Sequence, residues 1–107
     1  MPPKGFTTVG KLSRLGEGEL MLADIEGSRI LVANVDGEVF ALAEECTHAG
    51  APLSEGTLTG DMVECPWHGS VFDVKTGKFK ESPAVEDLTP YEVVLEGDDI
   101  CVGPARH

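Results

Sequence analysis

Closely spaced turn signals divide this chain into short apolar runs, and they constrain its fold more than any other feature. The clearest is Asp36-Gly37, which separates the β-rich runs of "RILVANVDGEVFAL" and predicts a hairpin. Similar runs flank four further signals: Glu26-Gly27-Ser28, Gly60-Asp61, Thr76-Gly77 and Gly97-Asp98. The pattern predicts roughly eight to ten short strands, and therefore an all-β fold, an antiparallel β-sandwich or a barrel-like arrangement.

Helix signals are almost absent from the rest of the chain. Only "VGKLSRLGEGE" is suited to a helical turn, which Gly16 and Gly18 would end. The length of 107 residues suits one domain spanning residues 1–107. No stretch approaches the roughly 20 apolar residues of a membrane span. The N-terminal residues also lack the apolar run of a secretory signal, so we expect a cytoplasmic protein that does not associate with membranes.

The charge balance is strongly acidic, with a formal net charge of −11 and a pI near 4.5. This excess argues against nucleic-acid binding, which requires a basic surface. It is compatible with attraction of a basic protein partner, at rates that fall as salt rises. Simple maintenance of solubility explains many of these carboxylates equally well.

Two segments do not follow the strand pattern, and they contain the residues with metal-binding chemistry. "EECTHAGAP" spans residues 44–52 and "CPWHGS" spans residues 65–70. Together they place Cys46 and His48 in one loop and Cys65 and His68 in the other, as C-x-H, sixteen residues, then C-x-x-H. Both interior histidines of the chain, and two of its three cysteines, fall in these loops. We therefore predict that the two loops form a metal site held on the rigid β-scaffold.

The residues by themselves leave the metal open. Two cysteines and two histidines suit a tetrahedral zinc ion, which would make the chain a zinc-stabilised structural or interaction module. However, each loop contributes one cysteine and one histidine, whereas zinc fingers usually keep like ligands together. The mixed order suits a [2Fe–2S] cluster in which one iron has two cysteines and the other has two histidines. A Cys-His nucleophilic enzyme lacks any recognisable third group.

The segments "CTHAGAP" and "CPWHGSVFD" resemble the two cluster-binding boxes of Rieske proteins. The resemblance implies a Rieske-like antiparallel β-sandwich that binds one [2Fe–2S] cluster per chain, in a small cluster-binding subdomain made of two loops at about residues 44–73. It implies that Cys46 and Cys65 bind the inner iron, and that His48 and His68 bind the outer iron near solvent. "ESPAVED", with Pro83, is the best match to the family's cluster-covering segment, although an ordinary turn fits it nearly as well.

Differences from the respiratory Rieske proteins point to one branch of the family. Those proteins carry an extra, disulfide-bonded cysteine in each box, where this chain has Ala51 and Trp67. High-potential members have serine and tyrosine hydroxyls near the cluster, where this chain has Ser70 and Phe72. With fewer hydrogen bonds to sulfur, we expect a reduction potential toward the lower end of the Rieske range.

The chain thus resembles the soluble ferredoxin component of multicomponent aromatic-ring dioxygenases. This implies a non-enzymatic carrier that takes an electron from a flavin- or iron–sulfur-containing reductase. It passes the electron to a terminal oxygenase or similar redox enzyme, docking through the face around His48 and His68. A Rieske-like small subunit of a nitrite-reductase-type complex is an alternative. Trp67 is expected to pack over the cluster rather than join the docking face, and Cys101 to be a buried strand thiol.

Overall fold

Each predicted turn joins two antiparallel strands in the structure, a computed structural model that describes residues 2–45, 50–67, 69–81 and 87–106. The strands in chain order are β1 (Thr7–Lys11), β2 (Leu20–Ile25), β3 (Ser28–Val35), β4 (Glu38–Ala43), β5 (Thr57–Thr59), β6 (Met62–Glu64), β7 (Val71–Asp73), β8 (Phe79–Glu81), β9 (Pro90–Glu96) and β10 (Asp99–Ala105). Short 3₁₀ turns are found at Leu12–Arg14 and Leu53–Glu55. The predicted all-β, antiparallel fold is confirmed.

The two strongest hairpin signals form turns that require left-handed backbone. At the β3–β4 turn, φ is +52° for Asp36 and +92° for Gly37. At the β2–β3 turn, Glu26 has φ +52° and Gly27 has φ +87°. Two consecutive residues with positive φ match the right-handed twist of the flanking strands, which is why Asp-Gly and similar pairs form two-residue hairpins. These turns fix the strand register, so Val35 lies opposite Glu38.

The larger sheet has six strands in the order β1-β10-β9-β4-β3-β2 and is nearly closed into a barrel. Its strand β3 is buried from Ile30 to Val35, and alternate side chains enter two separate hydrophobic clusters. Ile30 and Val32 pack inside the barrel with residues such as Ile100. This two-sided burial explains why β3 is an unbroken apolar run and not an alternating one.

The smaller sheet, with order β5-β6-β7-β8, packs on the outer face of β3 and β4. Val63 and Phe72, both fully buried, lie in one cluster with Leu31 and Leu42 of the larger sheet. This packing attaches the smaller sheet firmly to the barrel. The sheet spans residues 57–81, while the predicted subdomain limits of about 44–73 stay a prediction.

The helical content matches the sequence only in part. The 3₁₀ turn at Leu12–Arg14 lies in the one segment predicted to be helical. The turn at Leu53–Glu55 was not predicted. Within the described ranges neither turn exceeds three residues, and no helix there is long and apolar enough to cross a membrane. The predicted covering segment around Pro83 falls largely within residues 82–86, outside the described residues.

Candidate metal centre

The first ligand-bearing loop leaves the end of strand β4 and is closed by backbone pairing at its base. Glu45 and Pro52 form an isolated antiparallel bridge, and the N–H of Leu53 donates to the carbonyl of Glu44 at 3.0 Å. The predicted ligands Cys46 and His48 lie between these paired positions but outside the described residues. The loop therefore begins after Glu45 and ends at Pro52, where the chain pairs with itself again.

Glu44 lies at the paired base of this loop, with only 1% of its surface exposed. Its carboxylate accepts hydrogen bonds from the backbone N–H of Ser54 at 2.9 Å and from the Ser54 hydroxyl at 2.6 Å. Its own N–H donates to the carbonyl of Arg29 at 3.1 Å. Sequence reasoning missed Glu44 and Ser54. The available signal was strand alternation, since one step of two residues beyond Leu42 places Glu44 on the same inward face.

The second ligand-bearing loop joins strands β6 and β7 and is also closed at its base. The N–H of Cys65 donates to the carbonyl of Ser70 at 2.7 Å, and the N–H of Gly69 donates to the carbonyl of Cys65 at 3.3 Å. Gly69 has φ +76°, a left-handed conformation that lets the chain turn back tightly. The predicted ligand His68 lies outside the described residues. Of the four predicted ligands, the structure thus describes Cys65.

Cys65 connects its loop to the hydrophobic core. The side chain is 2% exposed and lies in the same cluster as Ala51, Leu53 and Phe72. Ala51 and Leu53 follow the first predicted ligand pair, so this cluster brings the two loops together. Cys101, by contrast, is fully buried in strand β10, where Thr8 Oγ1 lies 3.6 Å from its sulfur. Its predicted place as a buried strand thiol is confirmed.

A second contact between the loops is made through Gly56. A Cβ atom at this position would lie 2.1 Å from the carbonyl oxygen of Glu64, which directly precedes Cys65. The segment that follows the first loop therefore lies against the strand that leads into the second loop. Only a residue without a side chain allows this approach.

The outer side of the second loop is exposed. Trp67 has 58% of its surface open to solvent, the largest value among the exposed large hydrophobic residues that the structure describes. The expectation that Trp67 packs over the cluster stays a prediction. Two carboxylates accompany the loops: Glu45 Oε2 lies 3.7 Å from the Cβ position of Gly50, and Glu64 Oε2 lies 3.4 Å from that of Gly69. The loop region is therefore acidic as well as apolar.

The described residues fit a thiolate-bound cluster held between the core and the surface. Cys65 presents a buried sulfur at the edge of an apolar cluster, and glycines with positive φ turn each loop without adding side-chain bulk. In the part of the chain that the structure describes, no group of three or more histidine, cysteine, aspartate or glutamate residues has a metal-binding arrangement. Cys46, His48 and His68 lie outside the described residues.

A cavity of about 290 Å³ lies elsewhere, where the larger sheet does not close. Its lining includes Thr7, Ile25, Tyr91 and Pro104, and it includes no residue of either ligand-bearing loop. The cavity and the predicted metal centre are therefore separate features.

Comparison with known proteins gives a consistent result. Residues 5–92 match the family model for the Rieske [2Fe–2S] domain. The chain is 47% identical over 97 residues to the ferredoxin component of biphenyl 2,3-dioxygenase from Rhodococcus jostii (strain RHA1). The matched residues make up 91% of each chain. It is similar to the solved ferredoxin of carbazole 1,9a-dioxygenase from Nocardioides aromaticivorans IC177, with TM-score 0.90, 32% identity and coverage of 94% of this chain and 99% of that one. It is also similar to a chain in a solved complex of reduced oxygenase and oxidized ferredoxin in carbazole 1,9a-dioxygenase, with TM-score 0.92 and 32% identity. The match covers 97% of this chain and 98% of that one.

Proposed function

This chain belongs to the Rieske [2Fe–2S] domain family and carries a Rieske-type [2Fe–2S] cluster, and from this premise we propose that it is a one-electron carrier. It receives an electron from a flavin- or iron–sulfur-containing reductase and passes it to a terminal oxygenase. The observation that carries this proposal is the match to a dioxygenase ferredoxin component over 91% of both chains. A zinc module is not favoured, because the matched family is an iron–sulfur family.

Four residues are proposed to hold the cluster. Cys46 and Cys65 bind one iron, and His48 and His68 bind the other. The burial of Cys65 against the core supports its place on the inner iron, and the exposure of the neighbouring Trp67 supports an outward position for His68. When bound, the cluster supplies reversible one-electron chemistry.

The chain's own side chains set the environment of this site. Ala51, Leu53 and Phe72 are fully buried behind Cys65 and exclude water from its sulfur. Phe72 has no hydroxyl group with which to donate a hydrogen bond to a ligand sulfur. Since such hydrogen bonds stabilise the reduced, more negative cluster, we propose a potential toward the lower end of the Rieske range.

The surface near the loops is proposed as the docking site for the redox partners. Trp67 supplies an exposed aromatic group, and Glu45 and Glu64 supply negative charge beside each loop. The complementary partner surface is an apolar cleft flanked by lysine and arginine side chains. Such a contact is small, transient and sensitive to salt. The solved complex of an oxygenase with a related ferredoxin supports an oxygenase as one partner.

We also propose that the carrier has no substrate site of its own and is cytoplasmic. The chain covers nearly the whole length of the ferredoxins to which it is similar, and these are named as components of larger dioxygenase systems. The oxidation of an organic substrate would then belong to the oxygenase partner.

The ligand assignment is tested with His48→Ala and His68→Ala. Each variant is expected to lose the electron paramagnetic resonance signal of a histidine-ligated [2Fe–2S] cluster while circular dichroism still reports β-structure. The unmodified protein is expected to contain two irons and two labile sulfides per chain. A signal that persists in both variants would show that the assignment is wrong. A colourless protein with one zinc would support the structural module instead.

The docking surface is tested by stopped-flow oxidation of the reduced carrier with the oxygenase component of the Rhodococcus jostii biphenyl 2,3-dioxygenase. Trp67→Ala is expected to slow this bimolecular step without changing the midpoint potential, and Leu95→Ala is its control. Leu95 is also exposed, by 41%, but lies near the β9–β10 turn. Unchanged rates with Trp67→Ala would remove this residue from the docking site.

The contribution of the loop carboxylates to docking is tested with a separate pair of variants. Glu64→Gln should weaken the dependence of the rate on ionic strength, because one charge is removed from the contact. Glu38→Gln removes the same charge at the start of β4, roughly 17 Å along the strand from its loop end. Equal effects of the two variants would indicate general attraction by net charge and no local acidic docking site.

A further inference from the structure

A buried carboxylate, that of Glu44, lies next to the first ligand-bearing loop. Among the described residues, the buried polar side chains are Asn34, Glu44 and Ser70, and Glu44 is the one with a carboxyl group. Burial of such a group is unfavourable unless hydrogen bonds compensate for lost water. Both carboxylate oxygens of Glu44 are compensated by one residue, Ser54.

These contacts join the two ends of the loop. Glu44 precedes the loop and Ser54 follows it, so the carboxylate connects positions ten residues apart. The backbone bond from Leu53 N–H to the Glu44 carbonyl runs alongside, at 3.0 Å. Because the two carboxylate oxygens accept from different Ser54 groups, the loop ends cannot slide past each other without breaking both bonds. The loop is therefore closed by a fixed, two-point contact.

We propose that Glu44 and Ser54 form a non-covalent clamp that holds the first ligand-bearing loop around the cluster. The inference rests on the proposed assignment of Cys46 and His48 as ligands. The Glu44–Ser54 clamp supplies the restraint within the first loop, and both residues act as positioning residues.

A purely structural role is the competing explanation, and Asn34 provides the matched control. Like that of Glu44, its side chain is buried and makes two hydrogen bonds, here both to backbone: it donates to the Leu15 carbonyl at 2.8 Å and accepts from the Gly37 N–H at 2.8 Å. Asn34 pairs with Val39 near the opposite end of β4, roughly 17 Å along the strand from Glu44. Asn34→Ala should therefore reduce stability without affecting the cluster.

The experiment uses the cluster-loaded protein with Ser54→Ala, Ser54→Thr and Glu44→Gln. Cluster loss is followed as the decay of visible absorbance in the presence of a chelator, well below the unfolding temperature. Ser54→Ala removes the hydroxyl bond and is expected to speed the loss roughly tenfold, which corresponds to about 1.4 kcal/mol for one hydrogen bond to a charged group. Ser54→Thr keeps the hydroxyl and should restore a rate near that of the unmodified protein. In Glu44→Gln the amide NH₂ group faces a hydrogen-bond donor of Ser54 instead of an acceptor. This variant should therefore lose its cluster as fast as Ser54→Ala or faster.

The electron paramagnetic resonance spectrum provides a second readout. Ser54→Ala and Glu44→Gln should shift its g-values, because the ligands of the first loop change position, whereas Asn34→Ala should not. If Ser54→Ala loses its cluster at the unmodified rate, or no faster than an equally destabilised Asn34→Ala, the clamp does not exist. If Ser54→Ala gives either of these results while Cys46→Ala loses the cluster, the clamp is overturned but the ligand assignment stands. Retention of the cluster in Cys46→Ala would overturn the ligand assignment.

Discussion

Substitution of Gly56 by alanine should disturb the contact between the two ligand-bearing loops. The backbone of Gly56 has φ −84°, which any residue adopts, so alanine adds no left-handed strain. The difficulty is steric, because the new Cβ would lie 2.1 Å from the Glu64 carbonyl oxygen. A carbon and an oxygen normally approach to about 3.3 Å, so the two segments must separate by roughly 1.2 Å (3.3 minus 2.1). A second backbone oxygen, that of Leu53, lies 3.1 Å from the same Cβ position, so a shift that shortens this distance is opposed as well.

The energetic cost follows from what must move. Overpacking of this kind typically costs about 1–3 kcal/mol. Here the upper end is expected, since Glu64 is hydrogen-bonded within the smaller sheet, between Thr57 and Val71. A loss of about 3 kcal/mol corresponds to a fall in Tm of roughly 12–24 °C for a domain of this size. Displacement of Glu64 also moves Cys65, so the iron content per chain should fall as well.

Differential scanning calorimetry and iron analysis measure the two effects of Gly56→Ala. Gly10→Ala is the matched control, because its new Cβ would meet only the end of the flexible Met21 side chain, at 3.0 Å. That variant should keep its iron and nearly all of its stability. Gly56→Ala with unchanged Tm and unchanged iron content would refute the reasoning, since it would mean that the loops are not in close backbone contact.

Three further outcomes follow from the same structure. Phe72→Tyr should raise the midpoint potential by roughly 60 mV if its hydroxyl donates one hydrogen bond to sulfur, the equivalent of about 1.4 kcal/mol for one electron; a potential that stays constant with the cluster retained would exclude that bond. Hydrogen bonds from Ser13 hold the pKa of Asp98 below its usual value. In urea titrations the unmodified protein should therefore be more stable than Asp98→Asn at neutral pH. This difference in the free energy of unfolding should disappear as the pH falls through the folded-state pKa of Asp98, and a difference that does not change with pH would contradict this. Cys101→Ala should keep the full cluster content, whereas Cys65→Ala should lose it, as measured by iron analysis; equal losses would contradict the distinct roles of the two thiols.

Local sequence patterns were sufficient to predict the turns and the loops. The pair Asp36-Gly37 forms a hairpin because both residues tolerate positive φ, which depends on the residues themselves and not on their neighbours in space. The 3₁₀ turn at Leu12–Arg14 was predicted for a similarly local reason. The spacing of cysteines and histidines, together with the resemblance of the two boxes, also indicated the Rieske family and its cluster. The family comparison confirms both.

The burial of Glu44, the exposure of Trp67 and the approach of Gly56 to Glu64 were decided by the tertiary structure. Strand alternation places Glu44 on the same face as Leu42, but neither this alternation nor the position of Trp67 beside a predicted ligand shows which face the rest of the chain will cover. The coverage depends on the smaller sheet packing over β3 and β4 and on the return of the chain at Ser54, which are contacts between segments distant in sequence. The chain's short-range patterns thus determined which residues can turn and bind metal, whereas long-range packing determined how the loops that carry them are held and what surface they present.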